Sequence, residues 1–232
     1  MSYDPEKGIG TYTEGMIHAA LKTRFEPDPA YHEIKCRGYI ADIMRDGRIF
    51  EIQTRGFYSM RDKLASFLEE YDVTVVYPII REKRIVWVDP ETGEMSKPRK
   101  STKSGRPADL LGELYGVADF LRKENFHIRA VLCDSEEYRL LNGWSRDRKK
   151  GSSRQKMLPL VFAEEYAFDC PEDYRTLLPD SLPDPFTRKE FGKALRLTGR
   201  GLHSALHVML FLGFIEEAGK KGKAILYRTV PD

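Results

Sequence analysis

The sequence predicts an α/β fold in which a mixed central sheet is flanked by helices, followed by a small α+β unit at the C-terminal end. Three observations predict it. "GYIADIMRDGRIFEIQT", Gly38 to Thr54, sets two strand-like runs around Asp46-Gly47, a strong signal for a hairpin closed by a two-residue type I′ turn. An amphipathic segment, "YSMRDKLASFLEEY", and a β-branched run, "VTVVYPII", come next, the order of a helix that crosses over to a parallel strand. Near the end of the chain two short amphipathic segments separated by a Gly-containing turn precede a second hairpin.

Each element has its own justification. "TYTEGMIHAALKTRF" reads as the first helix: Thr11 and Glu14 fit a capping box, and Met16, Ile17, Ala20 and Leu21 form one apolar face. "FEPDPAY" breaks it, and extended character runs from Tyr31 through Cys36 into the hairpin. In the following helix Met60, Leu64, Phe67, Leu68 and Tyr71 recur at three- and four-residue intervals. The β-branched run after it is of the kind found in strands covered on both faces. "RIVWVDPETGEM" predicts another strand and its turn, and "SKPRKSTKSGRP" a basic loop that is either simply solvated or in contact with phosphate. "ADLLGELYGVADFLRKEN" predicts an amphipathic helix, and "FHIRAVLCDSEEYRLL" a strand with a short helical tail.

The first domain is therefore expected over 1–142. The basic stretch 143–160, with "GWSRDRKKGSSRQK" at its start, reads as a linker, and 161–232 as the second domain. In that domain Thr187 is the expected N-cap of a helix that turns Phe191, Ala194 and Leu195 inward. The next helix carries Leu202, Ala205, Leu206, Met209 and Leu210 inward, and two strands close the chain around a Gly-Lys-Lys-Gly tip.

Composition narrows the function. The chain has 232 residues, 41% hydrophobic and 32% charged, with a formal net charge of +2, so any basic footprint for nucleic acid is local rather than global. Cys36, Cys133 and Cys170 are far apart and show no ligand-pair spacing, which argues against a disulfide framework or structural zinc and points to a reducing cytoplasm. "MSYDPEKGIG" has no signal-like apolar core, and no run is long enough to span a membrane.

The hairpin raises a question of charge. If Asp46 and Gly47 form the turn, Arg45 faces Arg48 and Asp42 falls opposite Glu51, on a face shared with Ile40, Met44 and Ile49. Like charges directly opposed on a sheet destabilise it. A divalent cation between them removes the repulsion, since Mg²⁺ is bound by one or two carboxylates together with waters and substrate phosphate. Gln53, two residues beyond Glu51, lies on the same face.

Asp42, then Glu51-Ile52-Gln53 on the next strand, with a helix bearing Glu14 before them and a helix and strand after, resembles the PD-(D/E)xK, or restriction-endonuclease-like, nuclease superfamily. The resemblance runs from about Thr11 to Ile80 and extends in element order to about residue 142. It implies a nuclease that hydrolyses phosphodiester bonds, in DNA above all, using Mg²⁺ or Mn²⁺ held by Asp42, Glu51 and the Ile52 carbonyl, with Glu14 as the first-helix acid. Gln53 stands where that superfamily usually has Lys; it would orient the attacking water without supplying charge. Lys63 on the following helix supplies the missing charge if its turn faces the site, and Arg55 is the candidate phosphate contact. His18 shares the helix face of Glu14, and His32 and Glu33 could reach the same sheet edge. Glu14 is equally explained as the acid of a capping box. Gln53 also keeps open a catalytically inactive nuclease-like fold that serves as a nucleic-acid-binding or regulatory module.

The C-terminal unit, roughly Asp184 to Val230, resembles the winged-helix family. That implies DNA contact by Thr198, Arg200, His203 and Ser204 at the start of the second helix, and by Lys220, Lys221 and Lys223 in the wing. A protein-binding role for such a module is the alternative. Cutting both strands of a duplex is a task for which homodimers are common, and no segment here demands an interface.

Overall fold

The computed structural model describes residues 11–143 and 151–231, with side chains from Gly15 onward. The first helix, α1 (Thr11–Phe25), has the bounds its periodicity predicts. Ile17 and Leu21 are buried on its inner face, whereas Met16, which the spacing put there, is exposed. Strands β1 (His32–Cys36), β2 (Tyr39–Arg45) and β3 (Arg48–Ile52) follow. Asp46 and Gly47 both have positive φ, 48° and 75°, as a type I′ turn requires. The pairs Arg45↔Arg48, Met44↔Ile49 and Ile43↔Phe50 are those of the predicted register.

A 3-10 turn (Phe57–Met60) leads into α2 (Arg61–Phe67), and β4 (Asp72–Val88) returns parallel to β3, so the crossover is the one predicted. Helix α2 is shorter than its sequence pattern. Its end is fixed by Asn125, whose amide donates to the carbonyls of Leu68 and Tyr71 at 3.0 and 2.9 Å, satisfying groups a longer helix would have paired internally.

The two strands expected within "VTVVYPII" and "RIVWV" are one, β4, which runs through the charged "REKR" with a bulge between Ile80 and Glu82. Charge is tolerated there because Arg81, Glu82 and Lys83 have partners on neighbouring strands and Arg84 pairs with Glu82 along its own: Arg81, for one, donates to both carboxylate oxygens of Asp134 at 2.9 and 2.7 Å. The short β5 (Arg99–Lys100) pairs with β4.

The long helix predicted over "ADLLGELYGVADFLRKEN" is a single turn, α3 (Leu111–Leu114), between 3-10 turns at Pro107–Leu110 and Tyr115–Phe120. Gly116 explains the break. A Cβ there would lie 2.8–2.9 Å from the backbone of Tyr58, so this turn and the one before α2 approach too closely for any side chain. Gly116→Ala is expected to destabilise the protein by about 2 kcal/mol through overpacking, read as a lower denaturant midpoint at unchanged m-value.

Strand β6 (Phe126–Leu140) has no helical tail, and β7 (Ser153–Phe168) takes up much of the stretch read as a linker. Its basic, half-exposed residues suit an edge strand, and that composition hid the strand. Among the described residues the main sheet runs β1-β2-β3-β4-β6-β7, with β3, β4 and β6 mutually parallel and the outer pairs antiparallel.

The C-terminal unit consists of β8 (Phe186–Thr187), α4 (Arg188–Leu195), α5 (Gly199–Leu212), β9 (Ile215–Lys221) and β10 (Ala224–Thr229), its small sheet ordered β8-β10-β9. Thr187 caps α4 as predicted: its Oγ1 accepts from Glu190 N–H at 3.3 Å while the Glu190 carboxylate accepts from Thr187 N–H at 2.7 Å. The hairpin tip is Gly222-Lys223 rather than the whole Gly-Lys-Lys-Gly run, because Lys220 and Lys221 pair with Ile225 and Ala224.

This unit is not tethered at a distance. The buried cluster that holds Phe57, Leu64 and Leu111 is continuous with Phe191, Leu202 and Met209. Helices α3 and α5 cross at glycines, a Cβ on Gly112 falling 3.9 Å from the Gly201 Cα, and Arg122 donates to the Phe211 carbonyl at 2.5 Å. Among the described residues no helix is long and apolar enough to cross a membrane.

Candidate active site

The ladder between β2 and β3 ends at Ile43↔Phe50. Beyond it the two acids take over the work of the backbone. Ile52 N–H donates to Asp42 Oδ2 at 2.8 Å, and Asp42 N–H donates to Glu51 Oε1 at 3.2 Å. Each carboxylate thus accepts an N–H from the opposite strand, and the strands part where the acids sit. The predicted pairing of Asp42 with Glu51 is therefore a real convergence, although the face is less apolar than expected: Ile49 is buried, Met44 half-buried and Ile40 exposed.

Two helices complete the site. From α2, Lys63 Nζ lies 2.5 Å from Glu51 Oε2. From α1, His18 Nε2 lies 3.1 Å from Asp42 Oδ2. These groups, with Gly15 and Gln53, border a cleft of about 490 Å³. Gln53 turns its amide toward the rim, donating to the Ser59 hydroxyl at 3.3 Å and the Gly56 carbonyl at 3.4 Å.

The acids are electrostatically unequal. Burial raises the carboxyl of Asp42, yet the hydrogen bond and charge of His18, the Ile52 N–H and Lys63 outweigh it and hold the group below the ordinary range. For Glu51, burial and then the neighbouring charge of Asp42 dominate, and the group is pushed up to about 7 against the pull of Lys63. A cleft that keeps one carboxylate charged and a second poised near neutrality is short of positive charge.

The oxygen donors suit a hard cation. Asp42, Glu51 and the Ile52 carbonyl are ligands of the kind Mg²⁺ and Mn²⁺ take. No group of three or more His, Cys, Asp or Glu side chains arranged for a metal occurs among the described residues, so a cation here would complete its shell with water or substrate. The side chain of Glu14 lies outside the described residues. His32 bonds the Glu26 carbonyl at 2.8 Å and Glu33 pairs with Lys22; neither borders the cleft.

The remaining candidates divide. Arg55 lines a smaller cleft of about 200 Å³ that shares Thr54 with the first. In the C-terminal unit Thr198, Arg200, Lys220, Lys221 and Lys223 are exposed. Ser204 is buried, 8% exposed, because the inward face of α5 is broad enough to include it at its edge, beside Val208. His203 is exposed, but its ring lies 5.8 Å from that of Tyr115, which also packs on His207 at 4.7 Å.

Fold and site together define a mixed α/β protein with a two-carboxylate, lysine-bearing cleft at the parting of two strands. The chain belongs to the family described as a domain of unknown function, DUF8091, whose model matches residues 15–169. That match ends where β7 ends. An uncharacterized protein of Treponema pallidum (strain Nichols) is 31% identical over 232 residues, covering 96% of this chain and 88% of that protein; the likeness thus reaches into the C-terminal unit. No solved structure matches the chain.

Proposed function

We propose that the chain is a metal-dependent nuclease that hydrolyses phosphodiester bonds in DNA, with a restriction-endonuclease-like core and a winged-helix unit that helps hold the duplex. One observation carries the reading: Asp42, Glu51 and Lys63 meet in one cleft although they come from three different elements. Lys63 answers the difficulty raised by Gln53, since the positive charge missing from the strand arrives from α2. Mg²⁺ or Mn²⁺, bound by Asp42, Glu51 and the Ile52 carbonyl, would supply Lewis acidity toward the phosphate and lower the pKa of water.

The chain's own residues do the rest. His18 orients Asp42 through its ring nitrogen, as outer-shell groups do for ligating carboxylates. The Lys63 ammonium is placed to balance charge that builds on the phosphate oxygens. Gln53, tied to Ser59 and Gly56, shapes the rim. In the C-terminal unit the order β8-β10-β9 beneath α4 and α5 supports the winged-helix reading, with Arg200, Lys220, Lys221 and Lys223 as its phosphate contacts and Ser204 withdrawn from that set.

A second reading, a nuclease-like fold that binds without cutting, is favoured by the commitment of the Gln53 amide to the rim. The two separate in a plasmid-cleavage assay with Mg²⁺, Mn²⁺ or EDTA. Lys63→Ala is expected to lower cleavage by about 10²- to 10³-fold, the scale of losing one preorganised charge-stabilising group, and Gln53→Ala by less than about tenfold. Cleavage by Lys63→Ala at the wild-type rate would refute the assignment of the lysine. Salt-sensitive binding with no cleavage by the wild type under any metal would favour the second reading.

A further inference from the structure

Beyond the bulge near Arg81, strands β4, β6 and β7 continue past the helices as an extension of the main sheet, and one face of it repeats the puzzle of the acids with the sign reversed. Arg139 and Arg154 are directly opposite one another across β6 and β7, an arrangement that destabilises a sheet unless an anion lies beside it. Glu137 is that anion. It is fully buried, and Arg139 Nε, Lys83 Nζ and Arg154 Nε lie 2.5, 2.8 and 3.3 Å from its oxygens. Burial raises its carboxyl, but Lys83, Arg154 and Arg139 outweigh that and keep it ionised.

One carboxylate would be neutralised by one cation. Here three surround it, which among the described residues of the cluster leaves two positive charges in excess. Arg154 and Arg139 keep 47% and 30% of their side chains exposed, so the surplus faces outward. The position is also telling. Arg154 borders the smaller cleft, which shares Thr54 with the carboxylate cleft, and on the other side the Arg139 guanidinium lies over Trp87, 5.6 Å from the ring centre. Thr54 borders both clefts, Arg154 lines the second, and Arg139 and Trp87 follow it across the sheet.

We propose that this face of the extension is a phosphate-binding track on which a nucleic-acid strand lies as it leaves the carboxylate cleft, with Arg154, Arg139 and Lys83 as its cationic contacts and Glu137 as the residue that holds them in place. The inference rests on the nuclease reading for the identity of its ligand. It puts the main contact with the strand on the large sheet rather than on the wing.

The test uses the full chain in EDTA, with a short fluorescein-labelled single-stranded DNA followed by anisotropy over a range of salt. Arg139→Gln/Arg154→Gln is expected to weaken binding at least about tenfold and to flatten the salt dependence by about 1.4, two contacts at about 0.7 each. A double variant that keeps its thermal transition yet binds with wild-type affinity and slope overturns the track. Should the double variant not fold, arginine modification of the wild type by phenylglyoxal, mapped by mass spectrometry with and without DNA, decides: protection of Arg139 and Arg154 is expected, and equal reactivity refutes the proposal. Cleavage abolished by Asp42→Asn but untouched by the double variant would leave the nuclease reading standing without the track. Binding that maps to the two arginines in a protein that never cleaves would keep the track and remove the nuclease.

Discussion

Asp42→Asn is expected to lower Mg²⁺-dependent DNA cleavage by about 10³-fold while leaving the fold intact, at the upper end of what removal of one preorganised charged group costs a reaction. The substitution isolates charge from structure. Asp42 Oδ2 meets both Ile52 N–H at 2.8 Å and His18 Nε2 at 3.1 Å, and an asparagine oxygen in that place can accept from both, so the parted strands keep their hydrogen bonds. What is lost is the anion that the site holds charged below the ordinary carboxylate range. The measurement is the initial rate of plasmid nicking or linearisation at saturating metal, beside a thermal melt of each protein. Undiminished cleavage in a folded Asp42→Asn protein would remove this cleft from the reaction.

Glu51→Gln is expected to raise the melting temperature of the metal-free protein at pH 8 by roughly 4 °C or more, and to change it little at pH 4.5. With a folded pKa of about 7 against an ordinary 4.5, the folded protein binds this proton more tightly than the unfolded chain does. The associated stability is present below about pH 4.5 and is lost as pH rises through 7. The full difference is on the order of 3 kcal/mol, of which part is given back because Lys63 loses its ionic partner in the variant. For a chain of this length 1 kcal/mol corresponds to about 2–4 °C. Mn²⁺ should reverse the ranking at pH 8, stabilising the wild type by mass action and the glutamine variant hardly at all. A scanning melt at both pH values, with EDTA and with Mn²⁺, checks every part. A wild type that is more stable at pH 8 than Glu51→Gln in EDTA would show that Lys63 fully neutralises the acid and that no cation is wanted.

Both predictions concern residues that local chemistry exposes. An Asp-Gly pair between two strand-like runs leaves one register open to a two-residue hairpin, and that register alone brings Asp42 to Glu51. Helix α1, the crossover through α2 and the Thr187 cap were legible for the same reason: periodicity and capping act over a few residues and need no distant partner. Lys63 was legible only as a condition. Nothing in "RDKLASFLEEY" marks it apart from its charged neighbours, and its meeting with Glu51 depends on how α2 sits over the sheet.

The misreadings share a cause as well. The charged half of β4, the tail of β6 and most of β7 carry sequences that suit loops or short helices. They are strands because each supplies the ion partners the next requires: Arg81 with Asp134, and Lys83, Arg139 and Arg154 around Glu137. The helix expected over residues 108–125 was broken by the approach of Gly116 to Tyr58, a contact across more than fifty positions. Ser204 left the surface because α5 buries a wider face than its leucines mark.

The turn, the pairing of the two acids and the order of helices and strands around them follow from steric and hydrogen-bonding preferences within a short span of chain, and so were written in the residues themselves. That Lys63 and His18 close on those acids, that the basic segments form a charged sheet beside them, and that the C-terminal unit shares the core became visible in the folded molecule alone. Those outcomes depend on packing and on charges that find each other across the fold, where separation in sequence carries no information about distance in space.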